Sequence, residues 1–169
     1  GFDDQVPHVV VDSNGTVYAG GRFDTVTVGG TPANGFARWN GGTSWTAIGA
    51  NTNTIVYSLL ADNNGNVYVG GNFTGLNGLS GANRIAHWNG SSWNTLGSGM
   101  NDLVTGLALD DSGKLYASGP FTTAGGSNAN RVARWDGSQW SALGSGLLGT
   151  AHELATDSTG ALYASAAYK

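Results

Sequence analysis

The sequence predicts an all-β protein, a β-propeller of four-stranded antiparallel blades with about 3.5 repeats in the chain. A segment of 47 to 50 residues recurs along the sequence. Each copy contains short apolar or alternating segments separated by turn residues, which is typical of β-strands. No segment shows the 3.6-residue apolar periodicity that predicts an amphipathic helix.

The repeat register is marked by an Asp that starts each Asp-x-x-Gly turn, at Asp12, Asp62, Asp110 and Asp157. We interpret residues 1–169 as a single repeat domain. Its predicted units are blade 1 at about residues 6–54, blade 2 at about 55–103, blade 3 at about 104–150 and a half blade 4 at about 151–169.

The first half of a repeat is clearest in the second copy. A strand is predicted over Val56–Ala61, an apolar run that ends at Asp62. The Asp-x-x-Gly that follows fits a type I turn, because Asp accepts hydrogen bonds within its own turn and Gly takes a positive φ. A second strand is predicted over Asn66–Gly71, where valines alternate with a tyrosine. The glycine pair that ends it is expected where two blades approach closely.

The second half of the repeat begins with a loop of variable length, at 24–32, 74–81 and 122–128 in the three full copies. A third strand is predicted over Arg84–Trp88. An Asn-Gly or Asp-Gly pair then predicts a turn into the fourth strand. Recurring tryptophans such as Trp88 and Trp135 are expected to pack in the blades.

These motifs resemble known repeats. The order of an apolar strand, VYVGG, an aromatic anchor and WxxLG resembles the kelch motif. The stretch ANRIAxWNGSSWxxLGxGMN resembles, more closely, repeats of the fungal cortical polarity-marker family and of large bacterial cell-surface proteins. The matching residues are Tyr68, Gly70, Gly71, Phe73, Asn83, Trp88, Asn89, Gly90, Trp93, Leu96 and Gly97. The first copy departs from the pattern at Gly35. The resemblance implies a propeller in an extracellular setting and no catalytic residue.

Composition narrows the function classes. Charged residues are 11% of the chain, and seven Lys and Arg against eleven Asp and Glu give a net charge of −4. Such a chain has no basic stripe for nucleic acid, and no apolar run approaches the ~20 residues of a membrane span. The absence of Cys and the abundance of Gly and small polar residues favour an extracellular or cell-surface protein.

No cofactor, metal site or catalytic set is predicted. The Asp-x-x-Gly turns lack the further acidic ligand of a calcium loop. The three His lie in different repeats, and His87 aligns with Arg38 and Arg134, so we expect a solvated strand position rather than a metal ligand. Glu153 aligns with His8 in the innermost strand and can face a central channel, but a lone carboxylate makes no acid/base pair.

Two functions stay open for this chain. The first is a non-enzymatic surface module for structure, adhesion or self-assembly. The second is a lectin-like propeller with repeated glycan sites, formed by tryptophan faces and by Asn83, Arg84, Asn130 and Arg131. The competing interpretation is that these Asn-Arg pairs orient a strand and that the tryptophans are all core.

The last predicted strand is the candidate for self-association. Its residues are Leu162, Tyr163, Ala164, Ser165 and Ala166. An edge strand presents unpaired N–H and C=O groups that another chain can pair with. We therefore expect a homo-oligomer, with the alternative that these residues are part of a larger propeller.

Overall fold

The computed structural model describes residues 1–26, 31–49 and 54–166, and every regular element within these ranges is a β-strand. The first strands are β1 (His8–Val11), β2 (Val17–Gly20), β3 (Thr25–Val26), β4 (Thr31–Pro32), β5 (Phe36–Trp39) and β6 (Thr46–Ala47). The next are β7 (Ile55–Ala61), β8 (Val67–Leu76), β9 (Leu79–Trp88) and β10 (Trp93–Asn94). The last are β11 (Gly106–Leu109), β12 (Leu115–Ser118), β13 (Thr123–Ala124), β14 (Ser127–Asn128), β15 (Val132–Trp135), β16 (Trp140–Ala142), β17 (Ala151–Thr156) and β18 (Leu162–Ala166).

The strands form one antiparallel sheet per repeat. The first sheet has the order β1-β2-β5-β6, the second β7-β8-β9-β10 and the third β11-β12-β15-β16, and a fourth sheet pairs β17 with β18. The first strands of successive sheets contact one another, β1 with β7, β7 with β11 and β11 with β17. They therefore surround a common axis, as the innermost strands of propeller blades do.

The Asp-x-x-Gly segments are the predicted turns. In the first repeat the Gly15 N–H donates to the Asp12 carbonyl oxygen at 3.0 Å, and Gly15 has φ +80°. The Asp12 carboxylate oxygen Oδ1 accepts the N–H groups of Asn14 and Thr16 at 2.8 and 2.9 Å. The same carboxylate bonds recur at Asp62, Asp110 and Asp157. Each Asp therefore holds its own turn closed.

The prediction of a variable loop between the second and third strands was wrong. This segment forms a small hairpin in each full repeat: β3 pairs with β4, the outer parts of β8 and β9 pair, and β13 pairs with β14. Asn77 and Gly78 have φ of 50° and 78°, and Gly125 and Gly126 have 60° and 83°. Two successive positive φ values are typical of a type I′ hairpin turn. Residues 27–30 of the first hairpin lie outside the described ranges.

Adjacent sheets pack face to face. We call the side of a sheet toward the preceding sheet its front face and the opposite side its rear face. Tyr18 and Phe36 on the rear of the first sheet share one buried cluster with Val67 and with Leu59 on the front of the second. A second cluster joins the rear of the second sheet to the front of the third in the same way.

Tryptophan hydrogen bonds and a close glycine contact join adjacent sheets at these interfaces. The Trp93 indole N–H donates to the Ile48 carbonyl oxygen at 2.8 Å, and the Trp140 indole N–H donates to the Leu96 carbonyl oxygen at 2.8 Å. The close approach predicted at the glycine pairs is confirmed at Gly70, where an added Cβ would lie 2.5 Å from Val104 Cγ1. Real Cβ atoms do not come that close, so glycine lets the second and third sheets meet.

Candidate functional site

The first candidate site is a cleft of about 410 Å³ along the axis. All four innermost strands line it, and the side chains used below are His8 on β1, Tyr57 on β7, and His152 and Glu153 on β17. The register of β7 against β8 shifts between Val56 and Ser58, and that of β17 against β18 shifts between Ala151 and Glu153. Tyr57 and His152 occupy these two irregularities. A β-bulge re-aims a side chain, and both residues line the cleft.

Apart from the Tyr57 phenol, the described ionisable side chains that line the cleft are one carboxylate and two imidazoles. Glu153 is the single Glu of the chain, and no Lys or Arg is among the described residues that line the cleft. Burial lowers the pKa of His8 because it disfavours the charged imidazolium, and the Glu153 carboxylate opposes this effect. At neutral pH the cleft therefore carries a negative charge beside a neutral His8 imidazole.

Glu153 and His8 align at the same position of the repeat, which the sequence showed. The presence of His152 and Tyr57 at the same site was not predicted. The repeat alignment does contain this information, since Tyr57 and His152 align with each other, one position before the position of Glu153. Within the described ranges no group of three or more His, Asp and Glu side chains is placed to hold a metal ion.

The expectation that His87 is solvated was wrong. His87 is half-buried on β9, and its ring stacks on Tyr68 with centroids 5.0 Å apart. Its Nε2 atom is buried without a hydrogen-bond partner, and burial lowers the pKa of this imidazole against an opposing effect of Asp62. The His87 ring therefore packs on Tyr68 at the rear face of the second sheet.

The predicted glycan residues are bonded to the chain itself. The Asn83 side-chain amide donates to the Ser98 carbonyl oxygen at 3.0 Å, and that of Asn130 donates to the Ser145 carbonyl oxygen at 3.1 Å. Asn83 lies within β9 and Asn130 just before β15, and each ties its third strand to the segment that follows the fourth. Glycan binding at these residues stays a prediction.

The two arginines of these pairs have left-handed backbone conformations. Arg84 and Arg131 have φ of 65° and 63°, and Gly35 at the equivalent position has φ of 80°. The Arg84 guanidinium bonds the Asn72 side-chain oxygen, and the Arg131 Nη1 donates to the Leu147 carbonyl oxygen at 3.0 Å. The departure from the motif at Gly35 is thus explained, because glycine adopts this conformation without strain.

The second candidate site is the pair of outer sheet faces. Tyr18 and Tyr116 are 2% and 7% exposed on the rear of the first and third sheets, whereas Tyr163 on the rear of the fourth is 59% exposed. On the front of the first sheet, Val9 and Val11 are 57% and 59% exposed. On these two faces, Tyr163, Val9 and Val11 are therefore exposed to solvent at positions whose equivalents pack at the interfaces between sheets.

The exposed Tyr163 is held in place. Its hydroxyl donates to Asp157 Oδ2 at 3.0 Å, the same bond that Tyr116 makes to Asp110 at 3.0 Å. Hydrogen bonds, first that from the Thr159 hydroxyl and then those from backbone N–H groups, lower the pKa of Asp157 to about 2. The rear face of the fourth sheet thus has the bonding of an internal blade face.

The strand that was predicted as a self-association edge forms, and its role in association stays a prediction. β18 pairs with β17 along Leu162–Ala166, and within the described part of the chain no third strand joins this sheet. In each of the three preceding sheets the equivalent strand is hydrogen-bonded to a neighbouring strand along both of its edges. Ala164 and Ser165 are exposed along this edge.

Comparison with known proteins gives the fold. A family model described as a β-propeller repeat (SBBP) matches residues 42–75, from the end of the first repeat into β8. The extracellular domain of a one-component system from B. thetaiotaomicron superimposes with a TM-score of 0.63 over 96% of this chain, at 14% identity. A gluconolactonase from Xanthomonas campestris superimposes with a TM-score of 0.54 over 95%, at 18% identity.

The chain spans 20% and 56% of the lengths of those two proteins. No curated protein matches the sequence. No helix among the described residues is long and apolar enough to cross a membrane. At these identities the likeness shows the fold, and together with the repeat match it establishes a β-propeller of four-stranded antiparallel blades.

Proposed function

We propose that this chain is a non-enzymatic, extracellular propeller module that assembles with further copies of itself. In the contact, the rear face of the fourth sheet of one copy packs on the front face of the first sheet of the next. The observation that carries this proposal is the exposure of Tyr163 together with that of Val9 and Val11.

The internal interfaces provide the geometry for such a contact. Within the chain, Val10 and Tyr18 on a rear face pack in one cluster with Leu59 and Ala61 on the next front face. By repeat position, Val9 and Val11 correspond to Leu59 and Ala61, and Tyr163 corresponds to Tyr18. A contact between two copies would therefore continue an interface that the fold already forms.

The contact is heterologous, because a rear face meets a front face. Heterologous contacts give closed rings when the rotation closes and open filaments when it does not. Burying a tyrosine and two valines contributes about 1.5–3 kcal/mol per fully buried side chain, before the cost of association. Pairing along the edge of β18 would add main-chain hydrogen bonds to the contact.

An extracellular location is supported by composition and by one structural neighbour. The chain has no Cys and few charged residues, and the B. thetaiotaomicron neighbour is itself an extracellular domain. A surface protein whose copies assemble by contacts between their blades is suited to structural or adhesive roles.

Sedimentation velocity over a concentration series tests the assembly. Val9→Lys blocks the front face and Tyr163→Lys blocks the rear face. Leu148→Lys is the control, at an 86% exposed residue in the connection between β16 and β17. The wild type and the control should associate as concentration rises, whereas each face variant should stay monomeric.

A mixture of the two face variants gives the sharper result. The intact rear face of the Val9→Lys protein can still dock on the intact front face of the Tyr163→Lys protein. The mixture should therefore form a one-to-one dimer and nothing larger. A wild type that stays monomeric throughout the series, or face variants that associate like the wild type, would refute the proposal.

A further inference from the structure

We propose that the axial cleft binds a small organic cation of the ammonium or guanidinium class, with Glu153 as the charged partner. This inference does not depend on self-association, because the described residues of one copy of the chain already line the cleft on all four innermost strands.

The charge of the cleft decides the sign of the ligand. Glu153 is exposed to the cleft, and none of the described lining residues is a Lys or Arg that could neutralise it. An anionic ligand would be repelled by the carboxylate, whereas an N–H cation gains a charge-assisted hydrogen bond. The net charge of −4 adds a long-range attraction for cations.

The other lining groups suit the same ligand. Burial keeps the His8 imidazole neutral at pH 7, so it retains a nitrogen lone pair that accepts an N–H bond. Tyr57 is 36% exposed and presents an aromatic ring to the same cleft. A cation over such a ring is attracted by its quadrupole.

The size of the cleft limits the ligand. About 410 Å³ lies in the lower part of the roughly 300–1,000 Å³ range of small-molecule sites. A guanidinium or ammonium group on a short alkyl chain fits that volume. The same head groups occur on arginine and lysine side chains, so a basic residue of a peptide is one natural source of the ligand.

Two probes of nearly equal shape isolate the charge. Ethylguanidinium and its neutral analogue ethylurea are titrated into the isotopically labelled wild type at low ionic strength, with binding followed by NMR chemical shifts. Ethylguanidinium should bind in the millimolar range and shift the resonances of Tyr57 and His8. Ethylurea should bind about tenfold more weakly, because it lacks the charge-assisted bond.

The variants locate the partner. Glu153→Gln keeps the shape of the side chain and should weaken ethylguanidinium binding about tenfold. Asp111→Asn removes an exposed carboxylate that does not line the cleft and should change the affinity less than about twofold, as expected for a distant, screened charge.

Three results would overturn the inference: no saturable ethylguanidinium binding, equal affinity for ethylurea, or equal losses in both variants. Tighter binding of a neutral sugar than of ethylguanidinium would also overturn it. Assembly measured by sedimentation is a separate readout, so either proposal can fail while the other stands.

Discussion

Removing the indole of Trp140 tests the packing of one blade on the next. Trp140 is 6% exposed and lies in the second buried cluster, with its ring centroid 5.4 Å from that of Trp135. Its N–H donates to the Leu96 carbonyl oxygen, 44 residues earlier in the chain. The side chain therefore joins the third repeat to the second by both packing and a hydrogen bond.

Two substitutions separate these contributions. Trp140→Ala removes a buried aromatic and should lower the free energy of unfolding by about 3–5 kcal/mol. Trp140→Phe keeps most of the apolar ring but leaves the Leu96 carbonyl without its indole donor, at a cost of about 1–3 kcal/mol. For a chain of this size the Ala variant should lose about 6–20 °C in Tm.

Urea unfolding at one fixed protein concentration measures these differences, because self-association would otherwise make stability depend on concentration. Leu148→Ala is the control, since it removes apolar atoms from a side chain that is already 86% exposed. If Trp140→Ala cost no more than this control, the blade-packing role of Trp140 would be wrong. If Phe cost as much as Ala, packing of the ring would contribute nothing.

Three further predictions concern the core, the turns and the edge. Trp88→Ala should cost more stability than Trp135→Ala in the same urea assay, because Trp88 is buried and Trp135 is half-buried; equal losses would contradict the difference in burial. The fold lowers the pKa of Asp157 from 3.8 to about 2, so its contribution is complete above pH 3.8 and is lost as the pH falls toward about 2. Thermal unfolding over that window should therefore depend less on pH in Asp157→Asn than in the wild type, and identical pH curves would contradict the bonding of this turn. Ala164→Pro removes a backbone donor from β18 and should weaken association in sedimentation while far-UV circular dichroism shows the sheets intact; unchanged association would exclude the edge from the contact.

The repeat architecture could be predicted because its signals are local and recur. The Asp-x-x-Gly turns, the alternating strand around Tyr68 and the Asn89-Gly90 turn each indicate their structure through residues that are close together in the sequence. The spacing of the Asp residues then predicts one sheet per repeat. The hairpin at Asn77-Gly78 carried an equally local signal, but the variable length of that segment led to its interpretation as a loop.

The candidate sites could be predicted only in part, because they depend on contacts between residues that are distant in the sequence. The pairing of Leu162–Ala166 with the preceding strand followed from the repeat pattern, whereas the role of this strand in self-association stays a prediction. His8 and Glu153 share one cleft because the four sheets are arranged around a common axis. The sequence of a single repeat does not encode that arrangement. The bonds that engage Asn83 join residues 15 positions apart, and the stack of His87 on Tyr68 depends on strand pairing rather than on local sequence.

The most direct test of the central claim is a disulfide between two copies. The chain has no Cys, so Val9→Cys on the front of the first sheet and Ala155→Cys on the rear of the fourth each carry a unique thiol. Their internal counterparts, Leu59 and Val10, pack against one buried cluster. Under mild oxidation, a mixture of the two single variants should give a mixed disulfide dimer well above the level reached with a Leu148→Cys partner. Equal yields with both partners, or predominant Val9–Val9 linkage, would contradict assembly by blade-face stacking.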